Sequence, residues 1–375
     1  MKVFEKIVFN HLKTFISQIL DPAQFAYRAN RCVEDAVALT IHHILEHLEK
    51  SNTYARVLFI DYSSAFNTIV PYKLYKKLLS MSFDPTVCNW LLDFLLNRPQ
   101  FVKFNNMFSN TIVLNTGAPQ GCVLSPILYS LFTNDCRSSN DSVKIVKFAD
   151  DTTITGLISN SDEKAYLQQI NDLILWCDKN NLILNASKTK EMIFDFRKNK
   201  SPITPLQIKN ENIELVNNLK FLGTIISSDF KWYSNTQIIL KKAHQRLYFL
   251  RHLKKFNLND KILTNFYRAI IESILTFSII IWFKNLSQSE KRKLNKVIIH
   301  ASRIIGTSLP SLENLYLDRL NTRTTKILKD QTHPANIIFE LLPSGKRYRS
   351  IKIKTTRFGD SLFPNAIRFL NTAYR

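Results

Sequence analysis

Three aspartates suggest chemistry first. Asp61 ends the run ARVLFID, and Asp150 and Asp151 stand side by side in KFADDTTI. Residues 57–60 form a continuous apolar run, the pattern of a buried strand, so Asp61 falls at a strand end. Residues 143–155 read as two short strands with the acid pair at or near the turn between them. If these strands are neighbours in one sheet, the carboxylates converge, and they repel strongly unless a cation lies among them. Hard oxygen ligands of this kind select Mg²⁺ or Mn²⁺, and two such ions ~3.5–4 Å apart stabilise the attacking and leaving oxygens of phosphoryl transfer. Taken alone, Asp-Asp reads as a simple polar turn before it reads as a metal site.

The elements around the acids alternate. Residues 33–50 place Val33, Val37, Ile41, Ile44 and Leu48 at helical spacing, and Pro71 opens a further helix. Residues 86–97 read as a buried helix, 100–115 as a strand pair around NNMFSN, 125–133 as a helix, and 163–181 as a helix with Leu167, Ile170, Ile174 and Cys177 on one face. The strand-like LKFLGTIIS ends this mixed region near residue 227. Alternation over the first 200 residues predicts an α+β or α/β core. From 234 to 305 the pattern is helical. In 240–256, Leu240, Ala243, Leu247, Leu250 and Leu253 make an apolar stripe opposite Lys241, Lys242, Arg246 and Arg251. Beyond about 306 the chain is basic and interrupted by Pro310, Pro334, Pro343 and Pro364.

The net charge of +21 is concentrated in one half. Residues 1–190 hold 19 Lys+Arg against 17 Asp+Glu, and residues 191–375 hold 32 against 13. A surplus so placed points to a polyanion partner. The five cysteines form no C-x-x-C pair, which indicates neither a disulfide framework nor a zinc site and suits a reducing, intracellular compartment, nucleus or cytoplasm. The most apolar stretch, 262–283, includes Arg268 and Glu272, and its uncharged run 273–283 is about half of the ~20 residues a membrane span needs. It reads as a buried helix, and no membrane partner is expected.

In order along the chain, FIDYSSAFNTI (59–69), NTGAPQGCVLSPILYSLFTND (115–135), KFADDTTI (147–154), NASKTK (185–190) and LKFLG (219–223) resemble the palm motifs of reverse transcriptases, in particular those of non-LTR (LINE-type) retrotransposons. The resemblance runs from about residue 3 to 305. It implies an α+β right-hand polymerase fold with a ferredoxin-like palm. Residues 1–56 would be partial fingers, 57–228 the palm with a fingers insertion, 229–305 a helical thumb and 306–375 a basic C-terminal extension. MKVFEKIVFNHL resembles the tail of the first fingers block, so the expectation is an N-terminally truncated fragment of a longer element protein.

The resemblance also implies roles. Asp61 and Asp150 match the two metal-binding aspartates, Asp151 the neighbouring acid, and the Tyr62 carbonyl a further ligand of two Mg²⁺ ions, with Mn²⁺ possible. Phe66 matches the aromatic that excludes a ribose 2′-hydroxyl, and Pro119, Gln120 and Gly121 a turn approaching nucleotide and template. Lys188 matches a lysine that donates a proton to leaving pyrophosphate, with Lys190 as its rival. Leu222 and Gly223 match a hairpin turn that grips the primer end, and Arg28 and Arg31 a fingers block touching template or triphosphate. Lys241 and Arg246 fall on the thumb helix, where basic side chains meet phosphates. The implied partners are an RNA template, a DNA primer or nicked target DNA, and dNTPs. The rivals are a non-catalytic nucleic-acid-binding remnant, and another two-metal enzyme such as a nuclease, which leaves Phe66, Gln120 and 219–223 unexplained.

Overall fold

The computed structural model describes residues 2–200 and 202–373. By packing, the chain divides into two compact units. One comprises Met1–Arg31, Arg56–Glu191 and Ser201–Leu215; the other comprises Cys32–Ala55, Met192–Lys200 and Val216–Arg375. These bounds cut across the four segments read from the sequence, since residues 32–55 group with the C-terminal part of the chain.

The first unit is built on a five-stranded mixed sheet. Its order is Glu214–Leu215, Lys190–Phe194, Thr53–Ile60, Asp151–Ser159 and Val143–Phe148. Thr53–Ile60 takes the centre because it is apolar and buried along almost its whole length. Its one charge, Arg56, is 1% exposed and fully engaged. The guanidinium donates to Glu191 at 2.8 and 2.9 Å and to Glu163 at 2.7 Å, while the Tyr166 hydroxyl donates to Glu191 at 2.8 Å. A buried ion so saturated fixes the register of central strands, whereas removal of one partner would strand a charge. The helix Lys164–Asn180 covers the hairpin strands with Tyr166, Ile170, Leu173 and Cys177. Pro71–Ser80 and Pro85–Leu95 each start on a proline, where the missing N–H costs nothing.

The α+β class read from the sequence is the class observed. The strand pair expected at 100–115 closes as two short antiparallel ladders, Arg98–Gln100 with Ile112–Leu114 and Lys103–Phe104 with Met107–Phe108.

In the second unit the strand-like LKFLGTIIS forms a hairpin, Asn218–Phe221 with Thr224–Ser227, its turn falling at Leu222 and Gly223, which both take positive φ and reverse the chain. Two sequence expectations are revised here. Residues 262–283 are not one helix: a π-turn, Tyr267–Glu272, and a left-handed Ser278 divide the run. The run Asp260–Trp282 is long and apolar enough to cross a membrane; Leu263, Tyr267, Ile271, Leu275 and 279–283 are buried within this unit. Beyond residue 306 the prolines bracket helices instead of preventing them. Ser311, directly after Pro310, accepts from the Asn314 N–H and caps Leu312–Lys329. Pro364 sits in the first turn of Leu362–Ala373, where an amide hydrogen is not needed.

Candidate active site

The hairpin Val143–Phe148/Asp151–Ser159 pairs Phe148 with Asp151, which leaves Ala149 and Asp150 as its two-residue loop. Asp150 thus lies in the turn and Asp151 opens the returning strand. Asp61 directly follows Thr53–Ile60, the strand adjacent to Asp151–Ser159 in the sheet. Asp61 and Asp150 both act on Asp151. Asp151 keeps an exposed side chain, yet its carboxyl is pushed up to about 6, by partial burial and by repulsion from Asp150 and Asp61. None of the three forms an ion pair among the described residues. Beneath them Tyr129 is buried, its hydroxyl without a hydrogen-bond partner among the described residues. Its ionisation is driven well up by burial and by the fields of Asp150 and Asp151.

Several loops hold these acids. The Asp61 carbonyl accepts from the Asn185 N–H at 2.9 Å, and the Asp61 N–H donates to Thr189 Oγ1 at 3.3 Å, so the NASKTK block wraps the first aspartate. Tyr62 pairs with Leu184 and its ring is buried. Within NASKTK, Lys190 is committed: its Nζ donates to the Ser187 carbonyl at 2.7 Å and pairs with Glu214 at 2.6 Å. Lys188 is exposed, and its side chain has no partner among the described residues.

Phe66 lies in a 3₁₀ turn, Ala65–Thr68, half-buried, with its ring on Tyr129 at 4.7 Å between centroids. The GAPQG turn is strapped to it: the Gly117 N–H donates to the Ile69 carbonyl at 2.7 Å and the Ala118 N–H to the Phe66 carbonyl at 2.9 Å. A side chain on Gly117 would meet the Asn67 backbone at 2.8 Å, so only glycine permits this strap. Pro119 is anchored by Ser125 Oγ, which donates to its carbonyl at 2.6 Å; Gln120 and Gly121 are exposed, with open space beside Gly121. A cavity of about 700 Å³ opens here, lined by Asn67, Arg98, Gln100, Thr116, Pro119 and Gln120 among others. The structure therefore brings Phe66 and the Pro119–Gly121 turn together through backbone bonds, and gathers Asp61, Asp150, Asp151 and Tyr129 into one electrostatic cluster.

Arg28 and Arg31 turn inward. Arg28 Nη1 donates to the Asp21 carbonyl at 2.9 Å, closing the end of helix Lys2–Ile19, and Arg31 Nη1 donates to the Pro22 carbonyl at 2.6 Å beside the Phe25 ring. They brace the loop; the residues of that block that reach the acids are ones the sequence reading missed. Gln24, 1% exposed, hydrogen-bonds both the N–H and the carbonyl of Ala149, and the ionisation of the Tyr27 phenol is raised by burial and by the Asp150 charge. Their only signal was their place in the QFAYRANRC block.

Leu222, Gly223, Lys241 and Arg246 belong to the second unit. Lys241 and Arg246 lie on the open face of helix Tyr233–Lys255, opposite the buried Leu240, Ala243, Leu247 and Leu250, and make no ion pair among the described residues.

The donor chemistry of Asp61, Asp150 and Asp151 fits a hard divalent cation: Asp61 and Asp150 both oppose the charge on Asp151, and among the described residues no cation pairs with any of the three. Among the described residues, no three His, Cys, Asp or Glu side chains converge closely enough to hold an ion as they stand.

Comparison with known proteins adds the following. The family model described as reverse transcriptase (RNA-dependent DNA polymerase) matches residues 1–226. A shorter match, to the N-terminal segment of alkylated DNA repair protein alkB homolog 8, falls on residues 232–273. The chain is similar to a probable RNA-directed DNA polymerase from transposon BS of Drosophila melanogaster, 24% identical over 92% of this chain and 40% of that protein. It is also similar to the RNA-directed DNA polymerase from mobile element jockey of Drosophila funebris, 24% identical over 81% of this chain and 34% of that protein. The chain thus spans less than half the length of these curated relatives. Among solved structures, a telomerase from Candida tropicalis in complex with a TWJ fragment of telomeric RNA aligns over 88% of this chain and 54% of its own, at 15% identity and a TM-score of 0.43.

Proposed function

The chain belongs to the reverse transcriptase (RNA-dependent DNA polymerase) family, and on that premise we propose that it is the polymerase part of a non-LTR retrotransposon protein, joining dNTPs to a primer 3′-hydroxyl on an RNA template. The observation that supports this best is the cluster of Asp61, Asp150 and Asp151 at the ends of two adjacent strands, where Asp61 and Asp150 repel Asp151 and none of the three forms an ion pair among the described residues. Asp61, Asp150 and Asp151 would hold two Mg²⁺ ions, with Mn²⁺ able to replace them; such ions supply Lewis-acid activation of the hydroxyl and neutralise triphosphate charge.

The chain's own residues do the rest. Phe66, seated on Tyr129 and tied to the Gly117–Ala118 strap, is the floor against which a deoxyribose fits and a 2′-hydroxyl does not. Pro119, Gln120 and Gly121 border the cavity in which nucleotide and template base lie. Lys188, whose ammonium, unlike that of Lys190, has no partner among the described residues, gives a proton to leaving pyrophosphate. Leu222 and Gly223 take the primer end. Lys241 and Arg246 meet backbone phosphates, a contact read by charge and shape with little base specificity. The first unit's sheet is then the palm and Tyr233–Lys255 the thumb helix. Arg28 and Arg31 support the loop bearing Gln24 and Tyr27.

The test is dNTP incorporation on a primed RNA template by the full chain with added Mg²⁺, beside Asp150→Asn. Wild type is expected to extend the primer and Asp150→Asn to lose at least ~100-fold in rate while still binding the duplex. No incorporation by folded wild type overturns the activity; incorporation indifferent to Asp150→Asn overturns the site.

A further inference from the structure

The helical run from Asp260 breaks at a defined point. Ser273–Leu275 stops at Thr276, and Ser278 takes φ 51 before Ile279–Trp282 resumes. A non-glycine residue in the left-handed region is costly, and such strain persists where the surroundings impose it; π-turns like Tyr267–Glu272, just upstream, are frequent at functional sites. The break is held from several sides. Thr276 Oγ1 donates to the Glu272 carbonyl at 2.7 Å, Arg319 Nη1 to the Thr276 carbonyl at 3.2 Å, and the Trp282 indole to the Phe277 carbonyl at 3.0 Å. All this order leaves one side chain outside. Thr276 and Ser278 are 0% and 2% exposed, whereas Phe277 between them is 44% exposed.

The Phe277 ring lies over the turn of the hairpin Asn218–Phe221/Thr224–Ser227. A Cβ on Gly223 would sit 2.8 Å from its edge, so glycine is required for the ring to come this close, as well as for φ +89. A ring that only filled space over a glycine would need no held break in a helix to present it half-open.

We propose that Phe277 is a nucleic-acid contact, whose open part takes the sugar or base of the nucleotide gripped at Leu222–Gly223 while its edge lies on Gly223. The inference rests on the polymerase reading above for the identity of that strand as primer. An aromatic face suits the task, because every nucleotide offers a π-face and apolar sugar atoms, and a polymerase must hold any primer sequence.

The test is the affinity of the full-length chain for a fluorescent primed RNA template, by anisotropy at one fixed salt concentration, for wild type, Phe277→Ala, Phe277→Leu and Phe277→Tyr. Stacking contacts of this kind predict about tenfold weaker binding for Ala and for Leu, and restoration by Tyr. In steady-state extension the dNTP KM stays at the wild-type value. Phe277→Leu keeps apolar bulk against Gly223, so the hairpin stands even where Ala unsettles it. Leu binding as wild type does would reduce the ring to a spacer and overturn the proposal, as would Ala binding as wild type does. Wild type that binds but never incorporates sinks the polymerase activity alone, and the affinity series still decides Phe277.

Discussion

Gln24 holds Ala149 by both of its backbone polar groups: its amide oxygen accepts from the Ala149 N–H at 3.1 Å, and its amide nitrogen donates to the Ala149 carbonyl at 3.3 Å. Ala149 has φ +57, a left-handed conformation that alanine adopts at a cost, and it is the residue directly before Asp150. The neighbouring backbone adds to the clamp, since the Phe25 N–H donates to the Lys147 carbonyl and the Lys147 N–H to the Ala23 carbonyl, both at 2.9 Å. The position of Asp150 is thereby set by a segment 125 residues away in sequence.

Removing that clamp should uncouple stability from geometry. Gln24→Ala leaves the Ala149 N–H and carbonyl without their partner, and ~1–3 kcal/mol of stability is expected to go with them. Because the turn also aims Asp150, extension rate should fall by at least ~10-fold in protein that remains folded. The paired measurement is a urea melt and a primer-extension rate. A variant that loses stability but extends at the wild-type rate would show that the clamp is structural only.

The two lysines of NASKTK should behave differently. Lys190 is tied to Glu214 at the sheet edge; with Glu214 64% exposed, that pair is worth ~1 kcal/mol or less. Lys190→Ala is therefore expected to leave turnover nearly unchanged. On the proposed role, Lys188→Ala removes the proton donor to pyrophosphate, and the expected effect is in the range of ~10²-fold on kcat with little on dNTP KM. Pre-steady-state incorporation separates the two, and equal effects would sink the assignment.

What was legible in the chain follows from what chemistry restricts. Asp61, Asp150, Phe66 and Gln120 are picked out by residue type and order along the chain, and the structure places them at strand ends and turns; the strands beside the acids announce themselves as apolar runs. Gln24 and Tyr27 were not legible, because their role arises from tertiary placement: a buried amide meets a left-handed turn 125 residues on. The local bonds of Arg28 and Arg31 were hidden for the same reason. Charge shows in sequence, but the carbonyls of Asp21 and Pro22 to which these guanidiniums donate do not. The helix Leu312–Lys329 was missed because prolines were counted as breakers without asking on which side of a cap they fell.

Acid should weaken the second unit through His42. The imidazole, 5% exposed, packs between the rings of Phe358 and Phe363 at 5.6 and 5.0 Å, and burial, with the neighbouring His43 charge, pulls its pKa down to about 3. The Glu46 carboxylate 3.9 Å away is itself largely exposed and does not reverse this. The unfolded chain takes up the proton near the ordinary 6.5, and the folded one refuses it until about 3. The contribution is complete above pH 6.5 and is lost as pH falls from there toward 3, at up to ~1.4 kcal/mol per pH unit. Urea midpoints at pH 7.5 and 5 should therefore differ more for wild type than for His42→Leu; identical pH dependence would remove His42 as the cause.

Phe66 gives the sharpest readout of substrate choice. Its ring rests on Tyr129, and its backbone carbonyl accepts from the Ala118 N–H, so the turn that carries the ring is tied to the GAPQG segment. Phe66→Val shortens the floor without touching the aspartates. Losing that bulk should raise kcat/KM for an rNTP relative to the matching dNTP by ~10–100-fold, the range that steric discrimination by a few methylene-sized groups supplies. The dNTP value itself should change far less, since on the proposed reading the ring's bulk is needed to exclude the 2′-hydroxyl and not to hold the deoxyribose. The measurement is single-nucleotide extension with each sugar in turn. A variant whose sugar preference matches wild type, with dNTP use intact, would show that Phe66 is a core residue resting on Tyr129 and that discrimination lies elsewhere in the cavity bordered by Asn67 and Gln120.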